Sequence, residues 1–230
     1  RWLHESGWPP RRVKIRKGRA RYVIPEYPQA KLRLREAEQE RRFLEKEFSA
    51  APVKADSDSV YKIISKPGQF DLLHFACHGY AEQDNISNAG LMLEGRVEPV
   101  FVEGKMQERY VADPLTATFA EQNSKLKDAD NRPMVVLNAC QTAREGYSLT
   151  GVGGFAQAFL KSGAGAFVGT LWAVGDSPAR TFTEALYKTL RGGTDLAAAT
   201  VSAREKARAA GDATWLAYSV YGHPSMKLAK

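Results

Sequence analysis

Three stretches of this sequence are apolar at nearly every position and are bounded by polar or turn-forming residues. They are Phe70–Cys77, Met134–Ala139 and Ala166–Trp172. Apolar runs of this length without alternation are typical of strands that are buried on both faces of a parallel sheet. Between and after them, apolar residues recur at spacings of three and four, which is the period of an amphipathic helix. We therefore expect strands and helices to alternate along the chain.

The helical period is clearest in four segments, over residues 29–48, 151–162, 178–190 and 194–210. Trp215–Tyr221 reads as a last strand. Strands alternating with helices in this way predict an α/β fold, in which a mostly parallel sheet is flanked by helices.

Residues 84–131 break this alternation. Short apolar runs separated by Gly95 and Gly104 predict a β-hairpin inserted between two parallel strands. A short helix is expected to follow, beginning at Asp113-Pro114.

The positive charge of the chain is concentrated at its start. The 230 residues carry a formal net charge of +7, and residues 1–21 hold eight Lys or Arg against one acid, so residues 22–230 are neutral in sum. We expect residues 1–21 to be a basic leader or linker from a missing upstream domain, and residues 22–230 to be the folded body. A basic strip could contact nucleic acid or an acidic partner, although a solvated strand or linker is the simpler interpretation. The body has no charge pattern that indicates direct binding of nucleic acid.

Composition narrows the class of protein further. No run of 18 apolar residues is present, and no signal-peptide pattern opens the chain. Two cysteines are too few for a disulfide scaffold. We therefore expect a cytoplasmic protein with no membrane partner.

Two residues at strand ends are candidates for chemistry. His78 follows the first apolar run and Cys140 follows the second. Reactive side chains of parallel sheets collect past the carboxyl ends of the strands, so an imidazole and a thiol on adjacent strands would meet there. A histidine can ionise a cysteine and later protonate a leaving amine, and the N–H of Gly79 could bind an oxyanion. The alternatives are a structural histidine with a buried cysteine, or a zinc site that adds His74 and Cys77.

Four motifs in order resemble those of the CHAT domain, the caspase-like peptidase domain that often accompanies tetratricopeptide repeats. They are Leu73-His-Phe-Ala-Cys-His-Gly79, Val136-Leu-Asn-Ala-Cys-Gln-Thr142, Gly165–Trp172 with Asp176, and Tyr218-Ser-Val-Tyr-Gly222. The resemblance covers about residues 24–222. It implies a caspase-like sheet, with His78 as the catalytic histidine and Cys140 as the nucleophile. The triplet Ala-Cys-Gln also agrees with the local caspase signature, although that signature's Gly two residues after the cysteine is Thr142 here.

The resemblance also implies a function. We expect a cysteine endopeptidase that cleaves a protein substrate by a Cys-His dyad, with the backbone N–H groups of Gly79 and Cys140 holding the oxyanion. Such a dyad needs no metal or organic cofactor. An upstream regulatory domain or partner would sense a signal, in some relatives linked to a nucleotide or RNA and to bacterial defence.

Two finer expectations concern the loop after the third strand. Trp172 would pack on the substrate, and Asp176 would attract a basic residue before the scissile bond. The alternative for Asp176 is a helix start, where Asp or Ser caps the first turn. The alternative for the whole domain is a catalytically inactive, caspase-like interaction or assembly domain, although such domains have usually lost the histidine or the cysteine.

Overall fold

A computed structural model describes residues 7–82, 85–127, 131–140, 152–172, 174–211 and 213–229. The strands of this part are β1 (Arg12–Lys14), β2 (Ala20–Val23), β3 (Ala51–Pro52), β4 (Leu72–Glu82), β5 (Asn85–Val102), β6 (Lys105–Thr116), β7 (Met134–Cys140), β8 (Ala166–Thr170), β9 (Tyr218–Gly222) and β10 (Lys227–Ala229). The helices are α1 (Ala37–Phe48), α2 (Ser57–Ile64), α3 (Ala117–Asn123), α4 (Val152–Lys161), α5 (Asp176–Arg191), α6 (Leu196–Arg208) and α7 (Thr214–Ala217). A 3₁₀ turn, Ala30–Leu32, precedes α1.

The three apolar runs form the neighbouring strands β4, β7 and β8 at the centre of the main sheet. The order of that sheet is β3-β2-β4-β7-β8-β9, and every neighbouring pair is parallel except β8 with β9. This arrangement confirms the predicted α/β fold with a mostly parallel sheet. In the part of the chain that the structure describes, no helix is long and apolar enough to cross a membrane.

Helices cover both faces of the sheet because its central strands are apolar on both sides. One core lies between the sheet and α2, α3 and α4, and includes Leu73, Phe75 and Cys77 of β4. The other lies between the sheet and α1, α5 and α6, and includes Leu72. Alternation along β4 therefore sends successive side chains into different cores.

The inserted hairpin is present and is formed by β5 and β6. Its tip is Glu103-Gly104, where both residues have positive φ (50° and 77°), as the favoured two-residue hairpin turns require. The stem of β5 pairs antiparallel with β4, so β4 runs on to Glu82 instead of ending at Cys77. The helix after the hairpin does not begin at Asp113-Pro114 as predicted, because the hydroxyl of Thr116 caps α3.

The predicted helix over residues 29–48 is shorter in the structure. Residues 30–32 form the 3₁₀ turn, Arg33 is extended, and α1 begins only at Ala37. This interruption leaves the carbonyl of Leu32 outside any α-helix, where it contacts the site described below.

Part of the predicted leader is packed on the body. β1 pairs in parallel with β10, and Ala20 and Arg21 pair with β4 in the main sheet. Val13 is fully buried, and Arg16 binds the buried carboxylate of Asp71. Charge indicated a leader through residue 21, but the described residues before Tyr22 include strand positions of the fold.

Candidate active site

His78 and Cys140 occupy paired positions on neighbouring strands. Their Cα atoms are register partners in the parallel pairing of β4 with β7, and Cys140 is the last residue of β7. Adjacent strands lie about 4.8 Å apart, so the backbone brings both predicted catalytic positions to one place. The condition that a dyad of these two residues requires, that their strands are neighbours, is therefore met. The side chain of Cys140, and Gln141 and Thr142 after it, lie outside the described part of the structure.

The imidazole of His78 is held by a backbone carbonyl. Its Nε2 lies 2.7 Å from the carbonyl oxygen of Leu32, in the 3₁₀ turn. A carbonyl oxygen only accepts hydrogen bonds, so this geometry assigns a proton to Nε2. In the neutral ring Nδ1 is then the basic nitrogen. The ring can therefore take a proton through Nδ1 while Leu32 keeps its orientation fixed.

Tyr27, five residues before Leu32 in the chain, also binds His78. The backbone N–H of His78 donates to the Tyr27 hydroxyl over 3.0 Å, and that hydroxyl donates to the carbonyl of Met92 over 2.6 Å. The two rings lie 4.9 Å apart between centroids, tilted by 40°. Sequence reasoning missed Tyr27, although an aromatic residue between Pro25 and Pro28 is a signal of a fixed, packed turn.

Gly79 follows His78 and pairs with Leu91 of β5. A Cβ placed on Gly79 would lie 3.3 Å from the Cβ of Ala139, which is tighter than an ordinary contact. Glycine therefore suits the close approach of β4 to β7 beside His78. The oxyanion role of the Gly79 and Cys140 N–H groups stays a prediction.

Cys77 is a core residue. It is fully buried in the core beside α4, and burial raises the pKa of its thiol far above the ordinary value. His74 lies on the other side of the sheet, where its Nδ1 is 2.9 Å from the Tyr187 hydroxyl on α5. Because Cys77 and His74 point into different cores, one zinc ion cannot bind both, and the predicted alternative of a zinc site is wrong for that set. Among the described residues, no cluster of three or more metal-ligating side chains occurs.

A buried polar network anchors β7 two residues before Cys140. Asn138 donates to Glu40 of α1 over 2.7 Å and accepts from the Tyr218 hydroxyl over 2.6 Å. Thr183 of α5 donates to the same Glu40 oxygen over 2.6 Å. Glu40 was missed because it lies in a highly charged helix, although it falls on the apolar stripe between Ala37 and Leu44. The network ties three elements to the strand that ends at Cys140.

Trp172 and Asp176 lie between the end of β8 and the start of α5. Asp176 is the first residue of α5, so the predicted helix start is confirmed, but the N-cap is Gly175 without a side-chain bond, so the predicted cap by Asp or Ser is wrong. One Asp176 oxygen instead accepts the N–H of Arg35 over 3.2 Å. Trp172 is half-buried and packs against the core beside α5. Their roles in binding substrate stay predictions, and Ala173 between them lies outside the described residues.

A solvent-open groove of about 880 Å³ lies beside Tyr27, the residue that binds the His78 N–H. It lies between α1 and the β2–β3 edge of the sheet, and its walls include Tyr27, Arg33 and Glu94. Among the described residues, the lining includes Tyr27 but not His78. The groove therefore touches the segment that holds His78.

Known structures with this fold include cysteine peptidases. A chain of the Saccharomyces cerevisiae separase–securin complex is 16% identical, with a TM-score of 0.55, and the match covers 96% of this chain and 13% of that one. The Arg-specific cysteine proteinase gingipain R is 11% identical, with a TM-score of 0.55 and coverages of 90% and 47%. This chain thus spans only part of each, and at such identities the likeness shows a caspase-like fold. No curated protein matches the sequence.

The sequence itself decides the family. The family model described as the CHAT domain matches residues 16–222, which is most of the chain. The match includes β2 and both strands that bear His78 and Cys140. The chain therefore belongs to the CHAT-domain family.

Proposed function

We propose that this chain is a cysteine endopeptidase domain in which Cys140 and His78 form the catalytic dyad. The observation that carries the proposal is the register pairing of the two residues, together with the Leu32 carbonyl that assigns the proton of His78 to Nε2. Further support comes from the family and from the caspase-like fold shared with gingipain R and separase.

The mechanism follows from these roles. His78 Nδ1 takes the proton of the Cys140 thiol, and the thiolate attacks the carbonyl carbon of the scissile peptide bond. The N–H groups of Gly79 and Cys140 stabilise the negative oxygen that forms. The amine product leaves with the proton from His78, and water then hydrolyses the acyl-enzyme with His78 acting as the base.

A protein substrate and a controlling partner belong to the same proposal. The separase structure holds securin as a second protein. By analogy, an upstream region or partner protein restrains this domain until a signal arrives, and a dedicated protein is the target. Bacterial defence and a cytoplasmic location are the setting that the family resemblance favours.

Two measurements test the proposal. Iodoacetamide labelling in a Cys77→Ala background leaves Cys140 as the sole thiol, and His78→Ala should slow its alkylation at pH 7 severalfold because the thiolate loses its cation. Mapping of new protein N-termini in a lysate, after the full-length protein has been activated, should find cleavages that are absent with Cys140→Ala. Alkylation unaffected by His78→Ala, together with no new N-termini, would favour an inactive interaction domain.

A further inference from the structure

Tyr27 lies where β4 changes its neighbour. β2 pairs with β4 as far as Val23 with Phe75, and β5 pairs with β4 from Met92 with His78. The Tyr27 hydroxyl lies between His78 and Met92. It accepts from the N–H of His78 and donates to the carbonyl of Met92. A hydroxyl can do both because it has one proton and two lone pairs. The phenol thus bridges the two strands at the position of the candidate histidine.

The environment of Tyr27 suits this role. Its side chain is buried at 4% exposure, and burial raises the pKa of the phenol well above the ordinary value. The hydroxyl therefore keeps the proton that it donates to Met92. Five residues later, the carbonyl of Leu32 holds His78 Nε2, so one short segment fixes both the backbone and the ring of His78.

We infer that Tyr27 is a positioning residue for His78, acting through the strand-bridging hydroxyl and the ring contact to orient the imidazole for Cys140. The inference rests on the proposed dyad and adds to it a residue that acts through His78. Without the hydroxyl, the His78 N–H loses its bond to Tyr27, and the backbone that aligns the ring with the Leu32 carbonyl is less firmly held. The imidazole then stabilises the thiolate less well.

The chain contains a matched control for Tyr27. The Tyr110 hydroxyl makes the same two kinds of hydrogen bond within β5, where it accepts from the Gly95 N–H over 2.7 Å and donates to the Leu93 carbonyl over 3.1 Å. Its ring packs edge-on against the Tyr27 ring, with centroids 6.4 Å apart, and phenylalanine keeps this contact. Tyr110→Phe removes the same two kinds of hydrogen bond as Tyr27→Phe, but at a site that does not hold His78. A merely structural role predicts similar behaviour of the two variants.

The experiment measures the pH profile of Cys140 alkylation by iodoacetamide in the Cys77→Ala chain. Tyr27→Phe should move the inflection upward and slow alkylation at pH 7 about fivefold, the factor that corresponds to one hydrogen bond. Tyr110→Phe should stay within twofold of the parent chain. If Tyr27→Phe and Tyr110→Phe gave equal pH profiles while alkylation in His78→Ala was clearly slowed, the role of Tyr27 would be overturned and the dyad would stand. A profile unchanged by His78→Ala would overturn the dyad itself.

A second measurement covers the case in which Tyr27→Phe is too unstable for kinetics. In the Cys140→Ala chain, the ¹⁵N resonances of the His78 imidazole report which nitrogen holds the proton. We expect the Nε2–H form with Tyr27 and with Tyr110→Phe, and a mixture of forms with Tyr27→Phe. Retention of the pure Nε2–H form in Tyr27→Phe would contradict the inference.

Discussion

Arg16, in the basic start of the chain, binds Asp71 of the folded body. Its Nε and Nη2 each donate to the Asp71 carboxylate over 2.8 Å, and its backbone N–H donates over 2.9 Å. Asn131 donates a further bond over 2.9 Å, while the Asp71 side chain is only 1% exposed. Arg16→Ala therefore removes two charge-assisted bonds from a buried carboxylate and leaves the other two in place.

The expected loss of stability follows from those two bonds. A hydrogen bond to a charged group contributes roughly 1.5–3 kcal/mol, but the Arg16 side chain is 42% exposed, which places the pair at the low end. We expect Arg16→Ala to lower the free energy of unfolding by about 2–3 kcal/mol. For a chain of this size that corresponds to roughly 5–10 °C in Tm.

The loss should also depend on pH. Burial alone would raise the pKa of Asp71, but the hydrogen bonds from Arg16 and Asn131 outweigh it and hold the pKa below its ordinary value. A carboxyl with a lowered pKa in the folded state stabilises the fold above its unfolded pKa of about 3.9, and this contribution disappears as pH falls through the folded value. The difference between Arg16→Ala and the native chain should therefore be full near pH 7 and shrink below about pH 4.

Urea unfolding at pH 7 and at acidic pH measures both effects, with Arg12→Ala as the matched control. Arg12 is an exposed arginine of β1, so its replacement should change stability by less than about 0.5 kcal/mol. If the two variants were equally stable, or if their difference did not change with pH, the reasoning about Asp71 would be refuted. The start of the chain would then behave as the solvated linker that its charge suggests.

Three further changes test other parts of the structure. Glu40→Ala leaves the buried Asn138 amide without this acceptor, whereas the Thr183 hydroxyl can turn to the Ala179 carbonyl, and we expect urea unfolding to show a loss of about 1–3 kcal/mol. Gly163→Ala should lower Tm markedly, because φ at Gly163 is +108° and the added methyl group would lie 2.5 Å from a neighbouring side-chain carbon. Gly193→Ala is the control: φ is +88°, but the methyl group would have open space, so Tm should fall less. Asp176→Asn keeps an acceptor for the Arg35 N–H, so Tm should change by no more than about 1 °C. If Asp176 lines the substrate pocket, the same variant will cleave peptides with Arg or Lys before the scissile bond more slowly, and equal cleavage of basic and apolar peptides would exclude that role.

The order of elements and the central strands were predictable from the sequence because their signal is local. A strand buried on both faces is apolar at nearly every position, and a helix packed on a sheet repeats apolar residues every three or four positions. These rules identify β4, β7 and β8 and the helices around them without knowledge of contacts. The family motifs then nominate His78 and Cys140, and the pairing of β4 with β7 agrees with that nomination.

Only the tertiary structure decides which residues hold His78 in place. Tyr27 and Leu32 lie about 50 residues before His78 in the sequence, and Leu32 falls in a segment whose local pattern predicts an uninterrupted helix from residue 29. The start of that helix is replaced by a 3₁₀ turn and extended chain, which leaves the Leu32 carbonyl free to accept from the imidazole.

The charge of a segment was the least reliable predictor of whether its side chains are solvated or buried. Arg16 and Glu40 both sit in charged stretches that predict solvated surface, yet one binds the buried Asp71 and the other is itself buried in a polar network. A charged side chain can leave water when a partner of the right chemistry is fixed nearby, and that partner is supplied by another element of the fold. Periodicity along the chain reports which face of an element is apolar, but it has no information about which distant polar group lies opposite, and so these pairings are properties of the folded molecule alone.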